Sequence, residues 1–252
     1  MDIKLNFIDR GSGENLILLH GNGESLKLWA NNTSYFEKKY RVIAIDTRGH
    51  GESPRGDKPF TIEQFSEDLY DFMVENHIRK ANILGFSDGA NIACMFAIKH
   101  PEMVKRLILN GANLYPDGVK GSFQKPLEMA YKIALKKKPK EDEKVTEAEL
   151  LGLMARQPNI NPEDLKVLIM PTLVIVGDND MIKPDHTKLI YDSLPNAKMA
   201  VLEGDHFIAY KKYKAYNQTI ERFLQDMDEK DLVPPKPAVP AKKKGFSLFG
   251  KK

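Results

Sequence analysis

The chain has 252 residues, of which 42% are apolar and 29% are charged, and its formal net charge is +3. This balance is typical of a soluble globular protein and excludes a largely disordered chain, a collagen-like repeat and a small disulfide scaffold. The positive charge is concentrated at the end, because residues 229–252 hold seven lysines and two acidic residues, whereas residues 1–228 carry a net −2. The body of the protein therefore lacks the positive field that draws in nucleic acid.

Cysteine usage and hydropathy indicate a cellular compartment. The one cysteine, Cys94, has no internal disulfide partner, which favours a reducing environment. Asp2 and Lys4 leave no room for the apolar region of a signal peptide. No uncharged apolar run approaches the roughly 20 residues needed to span a bilayer. The sequence therefore predicts a cytoplasmic protein.

Seven short apolar runs are predicted as strands, with helix-period segments between them. Several runs are apolar on both faces, as expected for strands covered by helices on both sides. Thr61 and Gln64 form a capping-box signature before one of the intervening helices. This alternation predicts an α/β fold with a mostly parallel central sheet of seven or eight strands flanked by helices. The predicted strands cover residues 3–8, 16–20, 42–46, 81–86, 104–110, 172–176 and 199–203.

Residues 113–164 interrupt the alternation. They contain two predicted helices, 123–138 and 146–157, and no convincing strand. Because open α/β sheets bind ligands beyond the carboxyl ends of their strands, we expect this insertion to be a short helical lid, with residues 1–112 and 165–228 forming the core. The alternative is a helix pair that only covers the sheet. Candidates for lining a substrate pocket are Phe123, Leu127, Met129 and Met154, together with Trp29, for which core packing is the alternative.

Residues 229–252 are predicted to be a flexible basic tail. Four prolines prevent regular structure, and Lys242, Lys243 and Lys244 precede two phenylalanines. A solvated tail explains this composition. The alternative is a weak attachment to an anionic membrane surface or a partner.

Gly85-Phe86-Ser87-Asp88-Gly89 is the strongest chemical signal in the sequence. It follows a predicted strand and begins a predicted helix, the context in which a serine is held on a sharp turn between small neighbours. The helix start behind Ser87 would offer free N–H groups to a developing negative charge. The alternative is an ordinary turn between a strand and a helix.

A nucleophilic serine needs a base and an orienting carboxylate. Among six histidines, His206 follows the last predicted strand and should reach the same sheet edge as Ser87. His20 and His50 are expected to hold loop structure, and His77, His100 and His186 to be solvated near helix ends. The segment that ends the preceding strand, Gly177-Asp178-Asn179-Asp180, offers two candidate carboxylates.

The sequence resembles the α/β-hydrolase superfamily over residues 3–228, through five blocks in the family's order. The resemblance implies that Ser87 is the nucleophile, His206 the general base and Asp180 the orienting acid, with Asp178 as the alternative acid. It also implies an oxyanion hole made by the backbone N–H groups of Asn22 and Asp88. The five blocks are His20-Gly21-Asn22-Gly23, Asp46-Thr47-Arg48-Gly49-His50-Gly51-Glu52-Ser53, the Ser87 segment, Gly177…Asp180…Pro184 and Gly204-Asp205-His206.

The resemblance implies hydrolysis of a small-molecule ester or thioester through an acyl-enzyme, with no metal and no cofactor. Ser87 argues against epoxide opening and halide displacement, for which relatives place an aspartate at that point. Three alternatives stay open: cleavage of a carbon–carbon bond, cleavage of a peptide bond at an N-terminal proline, and a non-catalytic binding protein. The side chain of Asp88 is expected to be solvated at the helix start or, alternatively, to bind a substrate ammonium group.

Overall fold

The computed structural model describes residues 2–138, 144–227, 230, 232 and 233. These residues form a seven-stranded sheet of order β1-β3-β2-β4-β5-β6-β7. β1 is antiparallel to β3, and every other neighbouring pair is parallel. The predicted α/β fold with a mostly parallel sheet is confirmed. The strands are β1 (Phe7–Arg10), β2 (Glu14–Leu19), β3 (Tyr40–Ile45), β4 (Ala81–Phe86), β5 (Val104–Asn110), β6 (Thr172–Gly177) and β7 (Ala197–Leu202).

Helices cover both faces of the sheet. Alternation along the strands sends Ile17 and Leu19 of β2 to one apolar cluster and Leu16 and Leu18 to another. The first cluster includes side chains of α2, α3 and α6, and the second includes side chains of α1 and α8. The helices are α1 (Ala30–Phe36), α2 (Ile62–Glu75), α3 (Asp88–Lys99), α4 (Gly121–Ala134), α5 (Glu147–Arg156), α6 (Pro184–Ser193), α7 (Ile208–Lys211) and α8 (Tyr213–Leu224).

The first strand begins later than predicted. β1 covers Phe7–Arg10, although the alternation starts at Ile3 and both Ile3 and Leu5 are buried. Before β1, the backbone N–H of Asn6 donates to the Ser53 hydroxyl instead of to a neighbouring strand. The alternation of apolar residues therefore predicts burial correctly. It does not tell whether a buried segment is hydrogen-bonded in the sheet or packed as a loop.

Residues 113–164 contain α4 and α5 between β5 and β6, as the sequence predicts, with residues 139–143 outside the description. Thr146 and Glu149 form a complete capping box at the start of α5. The same Glu149 forms an ion pair with Arg55 of the core, at 2.5 Å. The second helix of the insertion is therefore attached to the loops beside the sheet.

Most of the predicted tail lies outside the described residues, which include only positions 230, 232 and 233 of it. Leu232 is fully buried in the apolar cluster that includes Phe223 and Leu224 of α8. Leu232 itself is therefore packed against the core, although the predicted flexible tail begins at residue 229. Among the described helices, none is long and apolar enough to cross a membrane.

Candidate active site

Ser87 stands between β4 and α3 in a strained backbone conformation, with φ 54° and ψ −122°. A non-glycine residue is held at positive φ only when the surrounding structure fixes it. Here the Ser87 N–H donates to the carbonyl of Asn110 at the end of β5, at 2.8 Å, and the Ser87 carbonyl accepts from Ala90. Its side chain stays partly exposed, so the hydroxyl is open to a reactant.

The two glycines of the motif are required because the turn is packed tightly against backbone. A Cβ on Gly85 would lie 2.2 Å from the carbonyl oxygen of Gly89. A Cβ on Gly89 would lie 2.2 Å from the carbonyl oxygen of Leu19 in β2. The pattern therefore brings α3 against the carboxyl end of β2, beside the loop that holds Asn22.

Ser87, His206 and Asp180 form one continuous set of hydrogen bonds. His206 Nε2 lies 3.0 Å from Ser87 Oγ, and His206 Nδ1 lies 2.7 Å from Asp180 Oδ1. Both His206 and Asp180 are buried. The alternative acid, Asp178, is exposed and accepts a hydrogen bond from the Gly204 N–H at 2.9 Å. This geometry allows the histidine to take the hydroxyl proton while the carboxylate orients the ring.

Gly111 is a site residue that the sequence analysis missed. It follows β5 with φ +62°, and a Cβ there would lie 2.7 Å from Cε1 of His206 and 2.9 Å from its Nδ1. The ring of Phe86 packs on another side of the imidazole, with ring centroids 4.9 Å apart. The His206 ring is thus held between a glycine backbone and an aromatic side chain. In the sequence, a glycine directly after the predicted strand 104–110 was the one feature that could have drawn attention to this position.

Two further groups hold Asp180 and were also missed. The Ile182 N–H donates to Asp180 Oδ1 at 3.0 Å, and the Lys120 ammonium donates to the Asp180 carbonyl at 2.5 Å. Lys120 precedes α4, so the start of the insertion contacts the loop that holds the acid. No sequence motif marks either group, because both act through the backbone of residues 180–182.

The two segments that carry the predicted oxyanion-hole donors lie beside Ser87. β2 and β4 are neighbours, and a Cβ on Gly21 would lie 3.2 Å from Cβ of Ser87. Within the described part of the chain, the N–H groups of Asn22 and Asp88 donate to no other group. The side-chain amide of Asn22 donates to the Leu150 carbonyl in α5 at 2.7 Å. Two free N–H groups next to a serine hydroxyl form a suitable site for a negatively charged oxygen.

Asp88 is buried, which corrects the expectation of a solvated carboxylate. Burial raises its pKa to about 6, and the nearby amide groups of Asn22 and Asn91 offset only part of this effect. Its Oδ1 accepts from Asn91 at 3.3 Å, whereas its Oδ2 has no partner among the described residues. The correction has a physical reason: α3 is inserted against β2, so its first turn is enclosed.

Glu24 is a second carboxyl group near the histidine. Its Oε2 accepts from the Gly21 N–H at 3.1 Å, and burial raises its pKa above the ordinary value. Glu24 and Asp88 both lie close enough to His206 for a charge on the imidazole to lower their pKa. The site is therefore bordered by two acidic side chains in addition to Asp180.

The other buried histidines are structural. His20 Nε2 accepts from the Thr47 N–H at 3.0 Å, and burial lowers the pKa of His20 to about 4. His50 packs on the ring of Phe60, so both histidines hold loop structure as predicted. The expectation that His186 is solvated is wrong, since it is buried and its Nε2 accepts from the Leu114 N–H at 2.9 Å. Within the described residues, no cluster of three His, Cys, Asp or Glu side chains could hold a metal ion.

The structure gives the five pocket candidates different degrees of exposure. Trp29 is fully buried in the apolar cluster that also contains Leu16 and Leu18 of β2, because it directly precedes α1, which packs on that face of the sheet. Phe123 and Met129 are 51% and 66% exposed, since the inward side of α4 is taken by Gln124 and Ala134. Leu127 and Met154 are half-buried, and their place in a pocket remains a prediction.

Comparison with known proteins agrees with this architecture. Residues 14–152 match the alpha/beta hydrolase fold family. The chain is 26% identical to the mouse protein "Serine hydrolase BPHL", over 88% of this chain and 84% of that protein. It is 27% identical to a 2-hydroxy-6-oxononadienedioate/2-hydroxy-6-oxononatrienedioate hydrolase of Cupriavidus pinatubonensis, over 88% of this chain and 91% of that enzyme.

Solved structures show the same fold. The enol-lactonase from Burkholderia xenovorans superposes with a TM-score of 0.74 at 21% identity, covering 88% of this chain and 97% of the lactonase. A meta-cleavage product hydrolase from Pseudomonas fluorescens superposes with a TM-score of 0.71 at 21% identity, covering 89% and 95% of the two chains. Together with the family match over more than half of its length, these findings show that the chain belongs to the alpha/beta hydrolase fold family.

Proposed function

We propose that the protein is a serine hydrolase that cleaves a carboxylic ester or thioester of a small substrate through an acyl-enzyme. The observation that carries this proposal is the hydrogen-bonded set of Ser87, His206 and Asp180, with distances of 3.0 Å and 2.7 Å. The strained backbone of Ser87 supports it further, because strain persists at positions where the geometry is functional.

In the first half of the reaction, Ser87 Oγ attacks the substrate carbonyl carbon while its proton moves to His206 Nε2. The Asp180 carboxylate orients the ring and stabilises the imidazolium that forms. The carbonyl oxygen becomes an oxyanion, which accepts hydrogen bonds from the N–H groups of Asn22 and Asp88. When this intermediate collapses, the bond to the alkoxide or thiolate breaks, and His206 gives that group its proton.

The second half reverses these roles with water. His206 takes a proton from a water molecule, whose oxygen attacks the acyl carbon of the ester on Ser87. A second oxyanion forms in the same hole and collapses by breaking the bond to Ser87 Oγ. The serine recovers its proton from His206, and the carboxylic acid leaves.

Cleavage of a carbon–carbon bond is the second candidate. It is favoured by the similarity to the hydrolase of Cupriavidus pinatubonensis, which aligns over 88% of the chain. Such a reaction has a carbon leaving group that must be protonated, in addition to acyl transfer. Parallel assays with a meta-cleavage-type dienoic diketone and with esters of matched acyl length distinguish the two candidates. The ester proposal requires faster turnover of the ester; a preference for the diketone contradicts it.

We also propose that the preferred substrate is an α-amino ester, whose acyl part carries an ammonium group. Asp88 has a buried Oδ2 without a partner, and Glu24 adds a second carboxyl group near His206. An ammonium group would supply the missing charge partner for Asp88. Asp88→Asn should slow hydrolysis of an α-amino ester more than hydrolysis of its N-acetylated analogue. Equal losses on both substrates contradict ammonium recognition, without affecting the assignment of Ser87.

The test of the central proposal is replacement of the nucleophile. Ser87→Ala should lower kcat for p-nitrophenyl acetate by about a millionfold, the size of effect seen when a serine nucleophile is removed. It should also abolish labelling by a fluorophosphonate probe. Ser122→Ala, at an exposed serine in α4, is the matched control and should retain both activities. Hydrolysis that survives Ser87→Ala, or absence of labelling in the unmodified protein, contradicts the proposal.

The place of action is also a proposal. Cys94 is buried and unpaired, and burial raises its pKa to about 12, which keeps the thiol protonated and unreactive. A protein with no disulfide among its described residues fits the reducing cytoplasm. Fractionation of cells that express the tagged full chain would test this location.

A further inference from the structure

The outward face of α4 is apolar. Ten large hydrophobic side chains are exposed among the described residues, and four of them lie between positions 123 and 135. Met129 and Ile133 are one helical turn apart, Phe123 lies near the start of the helix, and Leu135 follows its end. Singly exposed apolar residues need no explanation, but a cluster on one helix indicates an interaction surface.

A row of lysines borders this apolar face. Lys125, Lys132 and Lys136 are exposed and lie seven and four residues apart, on the side of the helix next to Met129 and Ile133. Within the described chain, none of the three pairs with a carboxylate, whereas Lys137 pairs with Glu147. Residues 120–138 hold six lysines and one glutamate, a net charge of +5. The surface therefore combines apolar side chains with lysines that have no carboxylate partner among the described residues.

We propose that this lid patch, consisting of Phe123, Met129 and Ile133 with Lys125, Lys132 and Lys136, binds the surface of an anionic lipid membrane. An amphipathic helix with this composition lies in the membrane interface: its apolar side chains enter the headgroup boundary, and its lysines remain among the headgroups. Each lysine near an anionic surface strengthens binding by about fivefold. The proposal does not depend on the reaction assigned to Ser87.

Charge decides between a membrane and a second copy of the chain. Two copies joined through the lid patch would bring two rows of lysines together, and like charges across an interface are repulsive. An anionic bilayer supplies both the missing negative charge and an apolar layer. The composition of residues 234–252 agrees, because this segment has six lysines, no acidic residue, and Phe246 and Phe249. Stable attachment of a protein to a membrane ordinarily needs two such signals.

The location of the patch connects the membrane to the site. α4 packs against α5, and α5 accepts a hydrogen bond from Asn22 of the predicted oxyanion loop. A membrane that binds the outward face of α4 would therefore contact the same insertion that is hydrogen-bonded to the loop of Asn22. A substrate dissolved in the bilayer would be released close to this insertion.

The test is co-flotation of the full-length protein with vesicles of phosphatidylcholine alone and of phosphatidylcholine mixed with phosphatidylglycerol. We expect binding to the mixed vesicles at low ionic strength, with weaker binding at high ionic strength and to phosphatidylcholine alone. Met129→Ser combined with Ile133→Ser should weaken binding to the mixed vesicles by at least about tenfold. Lys125→Gln combined with Lys132→Gln should weaken it by about 25-fold.

A matched control is available elsewhere on the surface. Val167 and Ile169 are exposed to 48% and 75% and lie outside α4, and Val167→Ser with Ile169→Ser should leave binding unchanged. Replacement of Lys242, Lys243 and Lys244 by glutamine measures the contribution of the tail. The proposal is overturned if the lid variants bind as the unmodified chain does, or if only the tail variant weakens binding. It is also overturned if sedimentation shows a dimer that the lid variants dissociate while vesicle binding is absent.

Discussion

The side-chain amide of Asn22 donates a 2.7 Å hydrogen bond to the carbonyl of Leu150, and so joins the loop after β2 to the helix α5 of the insertion. The backbone N–H of the same asparagine is a predicted oxyanion donor. The position of the insertion and the position of that N–H are therefore linked through one residue. Arg55 and Glu149 add a second link between the core and α5.

Asn22→Ala should lower kcat/KM for an ester substrate by about three- to tenfold, because one hydrogen bond of net value about 1 kcal/mol is lost while the backbone N–H remains. Steady-state kinetics on the full chain measure this effect. Asn159→Ala is the matched control, since Asn159 is exposed and its amide donates only to the nearby Arg156 carbonyl. Equal losses in the two variants would show that the link between the core and α5 has no effect on the reaction.

Gly111→Ala should lower kcat by about a hundredfold. The added Cβ would lie 2.7 Å from Cε1 of His206, so the imidazole has to move, and a displacement of about 1 Å at a reacting group costs this much. The positive φ of 62° adds a stability cost of about 1–2 kcal/mol. Kinetics at saturating substrate and urea unfolding separate the two effects.

Gly13→Ala is the control for backbone strain. Gly13 also has a positive φ, of 105°, but a Cβ there would lie 3.0 Å from the Lys39 carbonyl and touch no residue of the site. It should reduce stability and leave kcat unchanged. If Gly13→Ala reduces kcat as much as Gly111→Ala does, strain and not contact with His206 explains the loss.

The sequence was sufficient for the elements that depend on local pattern. Runs such as Leu16 to Leu19 are apolar at consecutive positions because their side chains enter two different clusters, one on each face of the sheet. The glycines of the Ser87 motif could be predicted from the sequence, because at each position a Cβ would collide with nearby backbone atoms. Asp180 and His206 follow strand ends, and parallel strands bring their carboxyl ends to one edge.

The burial of individual side chains depends on how helices and strands pack together, and it could not be predicted from the sequence. Asp88 and His186 were expected to be solvated, yet both are buried, because burial is decided by neighbouring elements and not by position in a helix. Phe123 and Met129 are candidates for lining a pocket, and both are more than half exposed; the helix period alone does not say which side of α4 faces the core. Gly111 acts on a side chain 95 positions away in sequence, and no local pattern records such a contact.

The buried guanidinium of Arg48 provides a stability prediction. Its Nε and Nη2 donate to the two carboxylate oxygens of Asp68 at 2.7 Å and 2.6 Å, and both side chains are buried. Asp68→Ala leaves a buried cation with only partial compensation and should cost about 3 kcal/mol of unfolding free energy. Asp2→Ala removes the other carboxylate partner, which is partly exposed, and should cost about 1 kcal/mol. Urea unfolding of the two variants measures the difference, and equal costs would contradict this account.

Asp88 should make the folded protein less stable as the pH rises. Burial raises its pKa from 3.8 to about 6, so between these values the folded chain retains a proton that the unfolded chain has lost. The resulting cost is absent below the unfolded pKa, grows through this window and reaches about 3 kcal/mol above the folded pKa. Asp88→Asn removes the ionisable group and should stabilise the protein by up to about 3 kcal/mol near neutral pH.

The gain from Asp88→Asn should disappear when unfolding is measured at about pH 4, where the carboxyl group of the unmodified protein is largely protonated in the folded state. Asp117→Asn, at an exposed carboxylate, is the matched control and should not reproduce this pH-dependent gain. A stability gain at neutral pH combined with loss of α-amino ester hydrolysis would identify Asp88 as a group retained for binding at the expense of stability. A gain of the same size at both pH values would show that the shape of asparagine, and not the ionisation of Asp88, is responsible.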